Sequence, residues 1–160
     1  MKTLIVYSSR SGNTRKLAET ARQVCKDNAT LLPVEEAPAD LTVFDLISVG
    51  FWLQGGKPDD KTQIFLPRVG KRKLFLFATH GAAKGSPHAE NGMKAAIAMA
   101  PEAELVGTFS CQGQVNPKIM EAAGQKNPSP PWLADAPAAA GHPDSNDLAE
   151  LHHLLSRLRE

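Results

Sequence analysis

The chain has 160 residues, 42% hydrophobic and 22% charged, with 18 lysines and arginines against 17 acids, for a net charge of +1. That balance excludes a nucleic-acid binder working by bulk charge. The longest apolar stretch, around Leu46–Leu53, already contains Ser48 and Gly50, so no membrane span is expected. The chain opens on the continuous apolar run Leu4–Tyr7, too short for a signal peptide but suited to a strand buried on both faces of a parallel sheet. Leu17, Ala18, Ala21, Val24 and Cys25 then fall on one stripe of a helix opening near Gly12-Asn13-Thr14. Thr30–Val34 reads as a weaker strand near an edge, where Pro33 is tolerable, and Phe44–Val49 as the next buried strand. Asp59–Val69 reads as a helix disturbed near its end by Pro67.

Leu74–Ala78 is the fourth strand. Met93, Ala96, Ile97 and Ala100 form a second helical stripe, ended by Pro101, and Leu105–Phe109 is the fifth strand. Asn127–Pro143, rich in proline and alanine and without a period, reads as a loop over the surface. Leu148, Leu151, Leu155 and Leu158 give a final helix capped near Asp144 or Ser145. Strand alternating with helix predicts right-handed βαβ units and a single α/β domain over residues 1–160, with helices on both faces of the sheet. Cys25 and Cys111 make neither a C-x-x-C pair nor a disulfide framework, so the expected compartment is a reducing cytoplasm.

Directly after the first strand the chain reads Ser8-Ser9-Arg10-Ser11-Gly12-Asn13-Thr14 and enters the helix. In parallel α/β sheets ligands bind outside the carboxyl ends of the strands, which is where this turn lies. The hydroxyls of Ser9, Ser11 and Thr14 can donate to phosphate oxygens, Gly12 permits close backbone approach, and the N–H groups of the helix start add donors. The three-glycine dinucleotide turn and the Gly-Lys-Ser/Thr ending of nucleoside-triphosphate loops are both missing. A phosphatase loop fails at both cysteines, since Leu31 and Pro117 stand where its arginine would be. Taken alone, the turn could also do no more than cap its helix.

Ser9-Arg10-Ser11-Gly12-Asn13-Thr14 resembles the Ser/Thr-x-Ser/Thr-Gly-x-Thr phosphate loop of flavodoxins, and the preceding Ile5-Val6-Tyr7-Ser8 and the chain length are similar to that family too. The resemblance implies a three-layer flavodoxin-like sandwich with a five-stranded parallel sheet in the order 2-1-3-4-5, and FMN as cofactor. It places Gly50-Phe51-Trp52-Leu53-Gln54-Gly55-Gly56-Lys57 beside the isoalloxazine ring. Trp52 is the aromatic that would stack there, unless it packs on the proline-rich segment instead. Phe51, Leu53, Gly55 and Gly56 are the neighbouring contacts.

The loop Thr79-His80-Gly81-Ala82-Ala83-Lys84-Gly85 would bind the pyrimidine edge through Thr79, His80, Gly81 and Gly85, although a lone loop histidine can equally be solvated. Many flavodoxins have a tyrosine here, whereas the one tyrosine of this chain is Tyr7. Cys111 and Gln112, at the end of the fifth strand, complete the candidate site, with Cys111 read as a compact buried thiol or a redox group. Trp132 lies in the irregular segment and is not counted among the site residues. Arg10, Lys57 and Lys84 would place positive charge around the flavin. No metal cluster or general base is expected.

The expected function is electron transfer between a reductase and an acceptor, with the flavin carrying the chemistry. The alternatives are an NAD(P)H-dependent FMN or quinone reductase on the same fold, or a regulatory module without flavin. Gly50-Phe51-Trp52, Cys111-Gln112-Gly113 and His142-Pro143-Asp144 are similar to a short bacterial branch of flavodoxin-like proteins, some of them accessory partners in bilirubin reduction. That likeness implies a bilin reductase among the partners.

Overall fold

The computed structural model describes residues 1–160. Five parallel strands, β1 (Thr3–Tyr7), β2 (Ala29–Pro33), β3 (Leu46–Gln54), β5 (Lys73–His80) and β6 (Glu104–Gln112), lie in the order β2-β1-β3-β5-β6. A two-residue strand, β4 (Lys57–Pro58), folds back antiparallel on the end of β3. Counting only the five long strands, this is the flavodoxin-like 2-1-3-4-5 order. Helices α1 (Asn13–Cys25) and α5 (Ser145–Arg157) cover one face, while α2 (Asp60–Phe65) and α3 (Pro87–Ala98) cover the other.

The side-chain period of two explains why the strands read as unbroken apolar runs. Along β5, Leu74, Leu76 and Ala78 enter the core under α2 and α3, while Phe75 and Phe77 enter the core under α1 and α5. Register brings the carboxyl ends level: Tyr7 lies beside Gly50, Trp52 beside Thr79, and His80 beside Gln112. The sheet therefore presents one edge on which all the candidate loops emerge.

Three expectations change. The third strand does not stop at Val49 but continues to Gln54, turns through Gly55-Gly56, and returns as β4. Both glycines have positive φ, 60° and 78°, as a tight two-residue hairpin turn demands. The crossover from β2 to β3 carries no α-helix. It holds only the 3-10 turn Val34–Glu36 and a loop closed by Asp40, whose carboxylate accepts from Thr42 N at 2.8 Å, with Leu41 and Phe44 filling the core in place of a helix. The helix expected over Asp59–Val69 is α up to Phe65 and 3-10 over Leu66–Val69, because Pro67 has no N–H to continue the ladder. One further helix, α4 (Pro117–Gly124), and a 3-10 stretch, Leu133–Ala139, occupy the region after β6.

Candidate functional site

The turn after β1 is built to present N–H groups. Gly12 adopts φ 92°, ψ −7°, a left-handed conformation, and a Cβ added there would meet nothing within 4 Å. Ser9 Oγ accepts from Gly12 N at 3.1 Å and Arg15 N at 3.3 Å, which fixes the turn. The N–H groups of Ser11, Asn13 and Thr14 have no protein acceptor. Unpaired N–H groups gathered at a helix start form an anion site, reinforced by the dipole of α1. A cavity of about 310 Å³ opens beside this turn, lined by Tyr7, Ser8, Ser9, Gly12 and Pro33 and edged by Arg15 and by Lys61, whose amine pairs with Glu35 at 3.1 Å. The donor set and the open space at Gly12 fit a terminal phosphate.

Thr14 has a different place from the one expected. It is 1% exposed, and its hydroxyl lies 2.9 Å from Thr79 Oγ1 and donates to Phe51 O at 3.4 Å. It fastens the start of α1 to the ends of β3 and β5. Asn13 Nδ2 donates to Gln114 O at 3.0 Å and to Ser11 Oγ at 3.2 Å, which ties the turn to the end of β6.

The ring-loop candidates divide. Trp52 is part-buried, with the Arg10 guanidinium 5.6 Å from its ring centroid, so these two residues do meet beside the turn. Phe51 is fully buried under α2 and α3, and only its carbonyl faces Thr14. Leu53 packs against Gly92 of α3, so its side chain also leaves the edge. Gly55 and Gly56 form the hairpin turn, with His88 alongside Gly56.

On the next strand, His80 is buried rather than solvated. Its Nδ1 lies 2.9 Å from Ala82 O and Nε2 has no partner. Burial, first of all, holds its pKa below the ordinary histidine value, and the nearby His88 and Lys84 act in the same direction. A neutral imidazole bonded to a carbonyl through Nδ1 must carry its proton there. Gly81 remains at the edge, whereas Gly85 lines a separate cavity of about 250 Å³ between α3 and β6. The Lys84 amine is likewise diverted: it pairs with Glu150 at 2.6 Å and lies over the Phe109 ring, so its charge does not point into the expected flavin loops.

Cys111 is completely buried among α1 and α5 side chains, and burial raises its thiol pKa far above the ordinary value. A thiol so protonated is a poor nucleophile, which makes it a core residue. Cys25 is 2% exposed. Neither thiol is therefore expected to react with a disulfide reagent in the folded protein at pH 8, while both should react in denaturant. Fast labelling of one thiol under native conditions would show that this burial is not maintained. Gln112 is a positioning residue: its Nε2 donates to Gly81 O and to Asp135 O, both at 3.2 Å.

Two groupings escaped the sequence. Trp132, not counted among the site residues, packs directly on Gly81. His142, Asp144 and Asp147 come together, with donor atoms within 4.8 Å of one another, where no cluster of metal-ligand type was expected. Their bonds are already committed to the start of α5. Asp147 Oδ2 accepts from His142 Nδ1 at 2.6 Å and from Asp144 N at 2.8 Å, and Asp144 accepts from Asn146 N and Asp147 N. This is a capping box with a histidine added. The backbone hydrogen bond from Asp147, above all, holds the half-buried Asp144 carboxyl below its ordinary pKa.

Comparison with known proteins agrees with this architecture. A flavodoxin-like domain-containing protein BilS of Clostridium symbiosum is 30% identical over 97% of this chain and 94% of its own length. A protein of the same description from Clostridioides difficile is 32% identical over 72% of this chain and 68% of its own. A Lactobacillus acidophilus flavoprotein solved in complex with FMN superposes with a TM-score of 0.57 at 18% identity, over 68% of this chain and 92% of that one. The flavodoxin domain family model matches residues 4–156, and the chain belongs to that family.

Proposed function

We propose that residues 1–160 form one FMN-binding domain that carries electrons from a reductase to an acceptor protein. The observation that carries this reading is the turn Ser9–Thr14, whose unpaired N–H groups and open glycine suit a phosphate monoester, in a chain of the flavodoxin family. The flavoprotein from Lactobacillus acidophilus, solved with FMN, supports the choice of flavin. When bound, the flavin supplies the electron-accepting and electron-donating chemistry.

The protein's part is binding and orientation. Ser11 and the N–H groups of the turn hold the phosphate, and Ser9 keeps the turn in shape. Thr14 and Thr79 lock the phosphate turn to β5, so the distance between phosphate and ring loops is fixed by the sheet. Trp52 and Arg10 form a flat, cationic wall beside the turn. The partners are a reductase and an electron acceptor, with a bilin reductase the acceptor implied by the resemblance at Gly50-Phe51-Trp52, Cys111-Gln112-Gly113 and His142-Pro143-Asp144. The compartment we propose is the cytoplasm, in keeping with two unpaired cysteines; no helix is long and apolar enough to cross a membrane.

The test uses the FMN-reconstituted protein and NADPH under anaerobic conditions. With NADPH alone the flavin absorbance should persist, and a catalytic amount of an NADPH-dependent flavoprotein reductase should bleach it. Bleaching at turnover speed by NADPH alone would make the protein a reductase instead.

A further inference from the structure

We propose that Trp132 forms a wall of the flavin-ring site, an inference that rests on the FMN reading above. A Cβ built at Gly81 would lie 3.1 Å from Trp132 Cε3, 3.7 Å from Trp132 Cδ2 and 3.0 Å from Val115 Cγ2. The indole therefore lies on the bare backbone at the end of β5, and glycine at position 81 is what leaves room for it. Trp132 is part-buried, so part of its surface still faces outward.

The segment carrying it is fastened to both neighbouring strand ends. Asp135 Oδ2 accepts from Ala83 N at 2.9 Å, and the Gln112 amide bridges Gly81 O and Asp135 O. Asp135 belongs to the 3-10 stretch that Trp132 caps, so the anchor and the indole move as one piece. Such an arrangement fixes an aromatic side chain in advance of ligand binding, which lowers the ordering cost of a stacked contact.

Position favours the ring rather than the phosphate. Thr79 touches Thr14 of the phosphate turn, and Gly81 lies two residues farther, about 7 Å along an extended chain. A ligand anchored by its phosphate at Ser9–Thr14 and running along the strand ends meets Trp132 with its distal, planar part. An indole offers such a planar system an offset-stacked partner. Trp52 already has one face toward Arg10, so the two tryptophans divide the work: Trp52 beside the phosphate turn, Trp132 beyond Thr79.

The experiment titrates wild type, Trp132→Leu and Trp132→Phe with FMN and with riboflavin, following the emission of the flavin itself, which contact with an indole quenches. Trp132→Leu should weaken both flavins by the same factor, about tenfold, and brighten the bound flavin. Trp132→Phe should recover most of the affinity. Unchanged affinity with a dark flavin in Trp132→Leu overturns the inference, because the indole would then serve only to pack on Gly81. A loss confined to FMN overturns it too, since that effect belongs to the phosphate turn. If wild type binds neither flavin, the FMN reading itself falls, an outcome distinct from both.

Discussion

FMN should bind this protein at least about 100-fold more tightly than riboflavin. The two differ only in the phosphate, and the turn offers that group unpaired N–H donors at Ser11, Asn13 and Thr14 together with the exposed Ser11 hydroxyl. A hydrogen bond to a charged group contributes about 1.5–3 kcal/mol, so two of them already exceed the roughly 2.7 kcal/mol that a hundredfold ratio requires. Gly12→Ala should erode the ratio. Its side chain would meet no neighbour, but a left-handed residue with a Cβ costs about 1–2 kcal/mol, and the turn would relax out of shape. Thr14→Ala is a different experiment from the one the sequence suggests. It removes the partner of a buried Thr79 hydroxyl, a loss of about 1–3 kcal/mol that appears in the melting temperature of the ligand-free protein. Titration by flavin fluorescence measures the ratio, and equal affinity for the two flavins would reduce the turn to a helix cap.

What could be read from the sequence was what is encoded locally. The phosphate turn lies within seven consecutive residues, and strand, turn and helix all announce themselves there, so its place at the sheet edge follows at once. The stripe on α5 and its Asp144 cap were equally visible, because capping chemistry acts over three residues. Two further elements carry local signals of their own. Gly55-Gly56 is a two-residue hairpin signature, and the turn it makes carries β3 on through Trp52. Asn116-Pro117 is a cap followed by proline at the first helical position, which opens α4; Asn116 Oδ1 accepts from Lys118 N at 2.9 Å.

Trp132 is of another kind. Its position depends on Asp135 meeting Ala83, 52 residues earlier, and no period within Asn127–Pro143 encodes that docking. The diversion of Lys84 to Glu150 across the sheet edge, 66 residues away, was hidden for the same reason. His80 illustrates the remaining limit. A histidine in a glycine-rich loop reads as solvated, yet the strand runs past its apolar pattern and carries the ring inside.

Gly50 leads to the last expectation. In sequence it opens the expected flavin loop, whereas in the fold it is a strand residue paired with Tyr7 on one side and Phe77 on the other. Phe77 is fully buried and lays its ring across its glycine partner: a Cβ at position 50 would fall 2.2 Å from Phe77 Cε2 and 2.5 Å from Cζ. Phe75 and Gly107 repeat the device one strand pair away, at 2.9 Å. Gly50→Ala must therefore move an aromatic ring in a packed core, which costs about 1–3 kcal/mol and, at so short a distance, belongs at the upper end of that range. The consequence reaches the site, because Gly50 O accepts from Ser8 N at 2.9 Å and so positions the phosphate turn. Urea unfolding should show a lower midpoint with an unchanged slope, accompanied by weaker FMN binding. The double variant Gly50→Ala/Phe77→Leu separates the clash from any other cause. Phe77→Leu alone leaves a void and should destabilise, but combined with Gly50→Ala it vacates the space the new methyl needs. The two substitutions should therefore couple favourably, by about 1 kcal/mol or more. Strict additivity would mean that the ring over Gly50 is not what excludes a side chain there.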